Sequence, residues 1–212
     1  MLRLFGTRGS GSAAVEAALT LLGLPFETVE ASSWQDGPGR DELSRLNPLG
    51  QIPTLQLEDG SVLSESAAIL IHLGLTHPHS GLLPSDPVAR AQAIRGLVYI
   101  AANCYALISV IDFPDRYCTE IDEPTSQRIR DGSRATLHRH WKIFADMFAT
   151  GNAPFLGGAA PGALDLLASV VSRWSGARKV LAQRRPAFHA LLHRIDAHAP
   201  LVPVFTRHWP PA

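Results

Sequence analysis

The sequence predicts a small α/β domain followed by an all-α domain. Three observations carry this. Strand-like and helix-like stretches alternate over the first 78 residues. Asp59-Gly60 stands between two short apolar runs, a strong hairpin signal. From Pro87 onward the apolar residues recur only at helical spacing, punctuated by Pro114, Pro124, Pro154, Pro161, Pro186 and Pro200.

Taken in order, Leu2 to Phe5 reads as a strand and Gly6-Thr7-Arg8-Gly9-Ser10-Gly11-Ser12 as a small-residue loop. Val15, Ala18, Leu19 and Leu22 then mark one face of a helix, with Ser12 as its expected N-cap and Gly23 as its stop. Pro25 to Glu30 reads as a second strand, parallel to the first through a right-handed crossover. Residues 31–50 form a polar loop holding a short helix near Asp41 to Leu46. Pro53 to Leu57 and Ser61 to Leu63 make the hairpin, and a helix runs from Ser66 to about His77. The expected sheet has four strands of mixed direction. Residues 79–86 are rich in Pro, Gly and Ser and read as a linker. Beyond it, helices are expected over Pro87 to Asp112, Ser126 to Thr150, 162–175 and 185–198. The domains are therefore 1–78, a linker 79–86, and 87–212.

Composition excludes several classes. Nineteen Lys and Arg balance nineteen Asp and Glu, so no basic patch points to nucleic acid. Two cysteines, Cys104 and Cys118, make no disulfide framework. No signal peptide is visible and no apolar stretch is read as reaching membrane-spanning length, so the expectation is a soluble, cytoplasmic protein with no membrane partner.

The chemistry concentrates in Asn47-Pro48-Leu49-Gly50-Gln51-Ile52-Pro53-Thr54-Leu55 and Ser64-Glu65-Ser66. Pro53 lacks a backbone donor, so it belongs at a strand start or on an edge. An edge strand that begins there leaves the main-chain groups of Ile52 free to pair with an extended peptide. Just beyond, the first N–H groups of the Ser66 helix have no partner and attract an anion. An edge for a small peptide beside a helix start for a carboxylate makes a peptide-binding platform.

These residues resemble the glutathione S-transferase family. The carriers are Asn47 to Leu55, Ser64-Glu65-Ser66-Ala67-Ala68-Ile69, the opening from Leu4-Phe5 through Gly23-Leu24-Pro25-Phe26, and Phe155-Leu156-Gly157-Gly158. The resemblance covers nearly the whole chain and is strongest over 1–78. It implies a thioredoxin-like first domain, an all-helical second domain lining the acceptor-substrate site, glutathione as co-substrate and a homodimer. It also implies that Pro53 is cis and that Ile52 pairs with the cysteinyl unit. Glu65 and Ser66 would hold the γ-glutamyl amino and carboxylate groups, with Gln51 and Arg40 toward the glycyl end. Tyr99, Asn103 and Tyr105 would face the acceptor, with Phe113 and Tyr117 closing over it.

The thiol-activating group is the open position. Family members place a Tyr, Ser or Cys near the start of the first helix, and no Tyr or Cys stands there in this chain. Ser10 matches the serine-type members best and Ser12 comes second, with Thr7 and backbone N–H groups as further sources. The resemblance implies conjugation of glutathione to a hydrophobic electrophile. The alternatives are a non-catalytic glutathione-fold binding or regulatory protein, and a glutathione-dependent isomerase or dehalogenase. No metal is expected: His189 and His193 stand four apart on a helix but lack the further ligands a metal requires.

Overall fold

The computed structural model describes residues 1–151 and 153–210; position 152 and the last two positions of the expected 87–212 domain lie outside the described residues. Four strands, β1 (Leu2–Gly6), β2 (Phe26–Glu30), β3 (Thr54–Gln56) and β4 (Val62–Ser64), form one mixed sheet in the order β2-β1-β3-β4. β1 and β2 run parallel with Leu4 opposite Thr28, while β1–β3 and β3–β4 are antiparallel, with Phe5 opposite Thr54 and Thr54 opposite Ser64. Side chains alternate across a strand. Leu4 therefore joins the main core, and Phe5, on the other face, packs with Ala31 and Leu43.

Helix α1 (Ser12–Leu22) carries Ala13, Ala14, Val15, Ala17, Ala18 and Leu19, none of them accessible to solvent. A helix buried on every side lies between layers. Here the neighbours are β1, α3 (Ser66–Thr76), and two helices from the far end of the chain, α7 (Ala163–Val171) and α10 (Val202–His208). Helix α2 (Pro38–Leu46) covers the opposite face and starts earlier than expected, because Pro38 is well suited to the first helical position.

The second half is helical throughout. It comprises α4 (Pro87–Tyr99), a π-helical turn (Ile100–Tyr105), α5 (Ala106–Asp112), a 3₁₀ turn (Pro114–Tyr117), α6 (Glu123–Phe148), α7, α8 (Ala177–Arg184), α9 (Pro186–Asp196) and α10. The architecture is thus a thioredoxin-like α/β unit joined to an all-helical region. Asp86 caps α4 by accepting from the Ala89 N–H at 2.7 Å. Asp122 caps α6 in the same way, so that the helix begins at Glu123, three residues ahead of the expected start. The stretch Pro87–Asp112 is long and apolar enough to cross a bilayer, contrary to the expectation that none reaches that length; in the fold it packs on α6 and α7. Tyr99, Trp141, Phe144, Phe148 and Phe188 form an aromatic core with ring centroids 4.8–6.4 Å apart.

One buried carboxylate anchors this half. Asp165, fully enclosed, accepts from the N–H groups of Leu156 (2.7 Å), Gly157 (2.8 Å) and Gly162 (2.9 Å). Burial pushes its pKa up to about 6, opposed by those three donors. Gly162 caps α7, and a Cβ there would stand 2.9 Å from the Leu82 carbonyl oxygen.

Candidate active site

A cavity of about 980 Å³ opens between the sheet edge and the α4–α5 stretch. Its lining includes Ser10, Arg40, Gln51, Ile52, Pro53, Glu65 and Ser66 from the first half and Tyr105 from the second. The expected binding residues of residues 1–78 thus converge. Ser12, Tyr99 and Asn103 do not line it.

The convergence is built locally. The Ile52–Pro53 bond is cis. Asn47, almost wholly buried, ties the turn before it, donating to the Gln51 carbonyl at 3.1 Å and to Thr54 Oγ1 at 3.0 Å. On the next turn Glu65 has φ +67°, a left-handed backbone at a residue with a bulky side chain, immediately before α3. Such a conformation costs of order 1–3 kcal/mol and concentrates where a side chain must be aimed. It sets the exposed Glu65 carboxylate and the start of α3 on the same wall. Ser66 is 6 % exposed, and its Oγ has no hydrogen-bond partner among the described residues. A buried hydroxyl without a partner is costly. With the α3 N–H groups beside it, Ser66 makes a ready carboxylate site. Glu65 takes part in no ion pair among the described residues, which leaves its charge for an ammonium.

The loop before α1 differs from expectation. Gly11, not Ser12, is the N-cap, and no side chain caps the helix. Ser12 is the first helical residue, buried and not part of the cavity lining. Its hydroxyl sits 2.8 Å from Ser10 Oγ, and Ser10 Oγ donates to the Thr7 carbonyl at 2.7 Å. A Cβ at Gly6 would stand 2.3 Å from Ser12 Oγ, so the Ser12 side chain has turned inward against the strand end.

Tyr99 and Asn103 are displaced for a simple geometric reason. They stand four apart on one face of the helix, and Tyr105 lies two residues past Asn103, roughly half a turn away. That first face meets α6. Tyr99 Oη donates to the His140 carbonyl at 3.1 Å, Asn103 Nδ2 donates to the Tyr99 carbonyl at 3.3 Å, and His140 Nδ1 donates to the Asn103 carbonyl at 2.7 Å. The cavity wall is the stripe Ala101, Tyr105, Ile108, Ser109 and Asp112, closed by Phe113 and by Trp174 from beyond α7. Tyr117 is not part of it; its hydroxyl donates to Ser109 Oγ at 3.0 Å.

A brace behind the loop was not anticipated. His208 on α10 accepts from the Gly9 N–H through Nδ1 at 3.1 Å and donates through Nε2 to Glu16 at 2.7 Å. Glu16 also pairs with Arg207, whose carbonyl accepts from Arg8 Nε at 2.9 Å. The signal was a charge inside the otherwise apolar Ala13–Leu19 run, because a buried carboxylate demands partners. Burial, helped by Arg207 and Arg8, pushes the His208 pKa down to about 4. The unfolded chain, with an imidazole pKa of about 6.5, therefore takes up the proton first as pH falls. Stability is complete above that value and is lost as pH falls toward 4. About 2 kcal/mol should disappear between pH 7 and pH 5 through this group. Urea denaturation at the two pH values should show this loss reduced in His208→Gln; an unchanged slope would place the titration elsewhere.

Among the described residues no cluster of His, Cys, Asp and Glu has the number needed to hold a metal. His189 and His193 are 3.2 Å apart on the exposed face of α9, without further ligands.

A family model of the glutathione S-transferase N-terminal domain matches residues 12–75. The chain is 35 % identical over 133 residues to an uncharacterized GST-like protein, YncG, of Escherichia coli K12, an alignment spanning 61 % of this chain and 63 % of that one. It is 36 % identical over 87 residues to the maleylacetoacetate isomerase of Pseudomonas aeruginosa, spanning 40 % and 41 % of the two chains. The matched regions thus cover less than two thirds of these relatives' own lengths. Among solved structures, a glutathione transferase homologue from Sulfitobacter with bound glutathione superposes with a TM-score of 0.83 at 25 % identity over 96 % of both chains. A glutathione transferase from Methylococcus capsulatus superposes at 0.78 with 28 % identity over 98 % of both.

Proposed function

We propose that the chain is a member of the glutathione S-transferase family, and that it binds glutathione, ionises its thiol and conjugates it through the sulfur to a hydrophobic electrophile. The observation that carries this is a single cavity joining two unlike walls. One is polar and pre-set for a zwitterionic peptide end, with Glu65 for the ammonium and Ser66 for the carboxylate. The other is largely apolar, formed by Ala101, Ile108 and Phe113. Ile52 offers its main chain to the cysteinyl unit, and Gln51 and Arg40 reach the glycyl end. Held this way, the sulfur points to the Ser10–Gly11 loop at the boundary between the walls, where proximity to a bound acceptor replaces a bimolecular encounter. Residues 1–78 hold glutathione, 79–86 join the halves, and 87–212 hold the acceptor, in a two-fold homodimer.

Titration calorimetry with glutathione tests the binding. Ser66→Ala is expected to weaken it by about 1.5–3 kcal/mol, roughly 10- to 150-fold, through loss of a hydrogen bond to a charged group. Equal affinity in wild type and variant would remove Ser66 from the site.

The maleylacetoacetate isomerases among the relatives favour a second reading on the same site, in which the sulfur adds to a substrate and leaves again. Glutathione consumption separates the two. Conjugation consumes one glutathione per turnover; isomerisation consumes none. Binding without turnover would leave a regulatory or carrier role.

A further inference from the structure

We propose that the hydroxyl group facing the glutathione sulfur is supplied by Tyr105, from the helical half of the molecule, and not by a serine of the loop before α1. The proposal rests on the glutathione reading above and assigns the residue that polarises the thiol.

Both loop serines are already committed. Ser10 sends its proton to the Thr7 carbonyl at 2.7 Å and accepts from the Ser12 N–H at 3.3 Å. With the Ser10 proton so placed, the 2.8 Å contact between the two hydroxyls is a donation from Ser12 to Ser10. Each proton is consumed within the loop, and both side chains are at least nine-tenths buried. Donating to a sulfur in the cavity would require Ser10 to break the bond that shapes the turn.

Tyr105 stands where the missing side chain of the loop would be. A Cβ built on Gly11 would lie 2.1 Å from Tyr105 Oη, 3.0 Å from Cζ and 3.2 Å from Cε1. The absence of a side chain at Gly11 and the presence of the phenol are therefore one arrangement: the tyrosine tip occupies the space at the uncapped start of α1. Its ring is held against Trp174, centroids 5.4 Å apart at 36°. Tyr105 is the last residue of the π-helical turn Ile100–Tyr105. Such turns shift the register of a helix locally and recur at functional sites. Here the turn places a residue of the long helix within reach of the loop.

The protonation state suits a donor. Burial and the neighbouring Glu65 carboxylate push the Tyr105 pKa up to about 12, and the Gly11 backbone N–H directed at the oxygen pulls the other way. A phenol with a raised pKa keeps its proton at neutral pH, and that proton is there for an acceptor in the cavity. A free cysteine thiol ionises near about 8.5. In the bound complex the sulfur gives its proton to solvent, Tyr105 keeps its own, and the phenol donates a hydrogen bond to the thiolate. No proton is transferred to the tyrosine at any stage.

The test is the pKa of enzyme-bound glutathione, read by thiolate ultraviolet absorbance, in wild type, Tyr105→Phe and Ser10→Ala. Binding of S-methylglutathione, which has no thiol to ionise, is measured in parallel. Tyr105→Phe keeps the ring against Trp174 and removes only the oxygen. The expected result is a bound-thiol pKa raised by one unit or more, with S-methylglutathione affinity within threefold of wild type. Ser10→Ala is expected to move the thiol pKa by less than Tyr105→Phe does. An unchanged thiol pKa in Tyr105→Phe overturns the assignment, whatever Ser10→Ala does. Wild type that binds neither glutathione nor its S-methyl derivative overturns the glutathione reading itself and this assignment with it.

Discussion

Glu65→Gln is expected to weaken glutathione binding about 10- to 150-fold while leaving the protein as stable as before. The side chain is exposed within the cavity and has no ion pair among the described residues, so nothing in the fold depends on its charge. Its strained backbone, φ +67°, is kept by a residue of the same shape. On the proposed glutathione reading, what is lost is the attraction between a carboxylate and the γ-glutamyl ammonium, a charge-assisted contact worth about 1.5–3 kcal/mol. A glutathione analogue without the α-amino group provides the internal control: it should bind wild type and Glu65→Gln equally. If the analogue also loses affinity in the variant, Glu65 holds some other part of the ligand.

The second large effect is on stability. Asp165→Ala should destabilise the fold by about 3 kcal/mol or more, because it strands three N–H donors turned toward an enclosed side chain, one of them on the buried Gly162, at roughly 1–3 kcal/mol for each left unpaired. The removal of a buried carboxylate returns part of that cost, since burial already holds the Asp165 pKa at about 6. For a chain of this length the loss corresponds to a fall in Tm of about 6–12 °C. Asp165→Asn, whose amide oxygen still accepts, should lie between variant and wild type. Calorimetric melting of the three proteins checks the order; an Asn variant as unstable as Ala would mean that charge, and not acceptor geometry, holds the Phe155–Gly162 turn to α7.

These two residues also mark what the sequence discloses. Asp165 three positions after Gly162, the Asp59-Gly60 hairpin, the Pro-led strand start and the Glu65-Ser66 helix start are local patterns whose geometry is set by their immediate neighbours. The cavity-lining edge formed by Gln51, Ile52, Pro53, Glu65 and Ser66 was legible for that reason. What escaped depends on segments distant in the chain. Helices α8 and α10 were not foreseen: α8 is polar and short, and α10 carries Pro203 and Arg207 in seven residues and is held by its contacts with α1. Ser12 read as an N-cap because it precedes an apolar run, yet Gly11 takes the position and Ser12 turns inward to Ser10. Tyr99, Asn103 and Tyr105 looked equivalent on one helix; only the packing of α6 decides which face turns to the cavity. His138 and His140 likewise find their partners far along the chain, each donating a ring N–H to a main-chain carbonyl, of Ser175 and Asn103 respectively.

The brace from His208 to Gly9 joins residues 199 apart in sequence. During synthesis the strands and first three helices are complete while more than half of the polypeptide has still to be made. At that stage α1 lacks α7 and α10, and a face of alanines, Val15 and Leu19 is open to water, as is the carboxylate of Glu16. A nascent chain with these features exposes apolar surface and is prone to aggregate. The brace on the Gly9 N–H forms only when α10 docks. A cavity wall that looks complete within the first 78 residues thus has its loop braced last, and the Gly6–Ser12 loop should become protected in step with the docking of α10, after the sheet has formed.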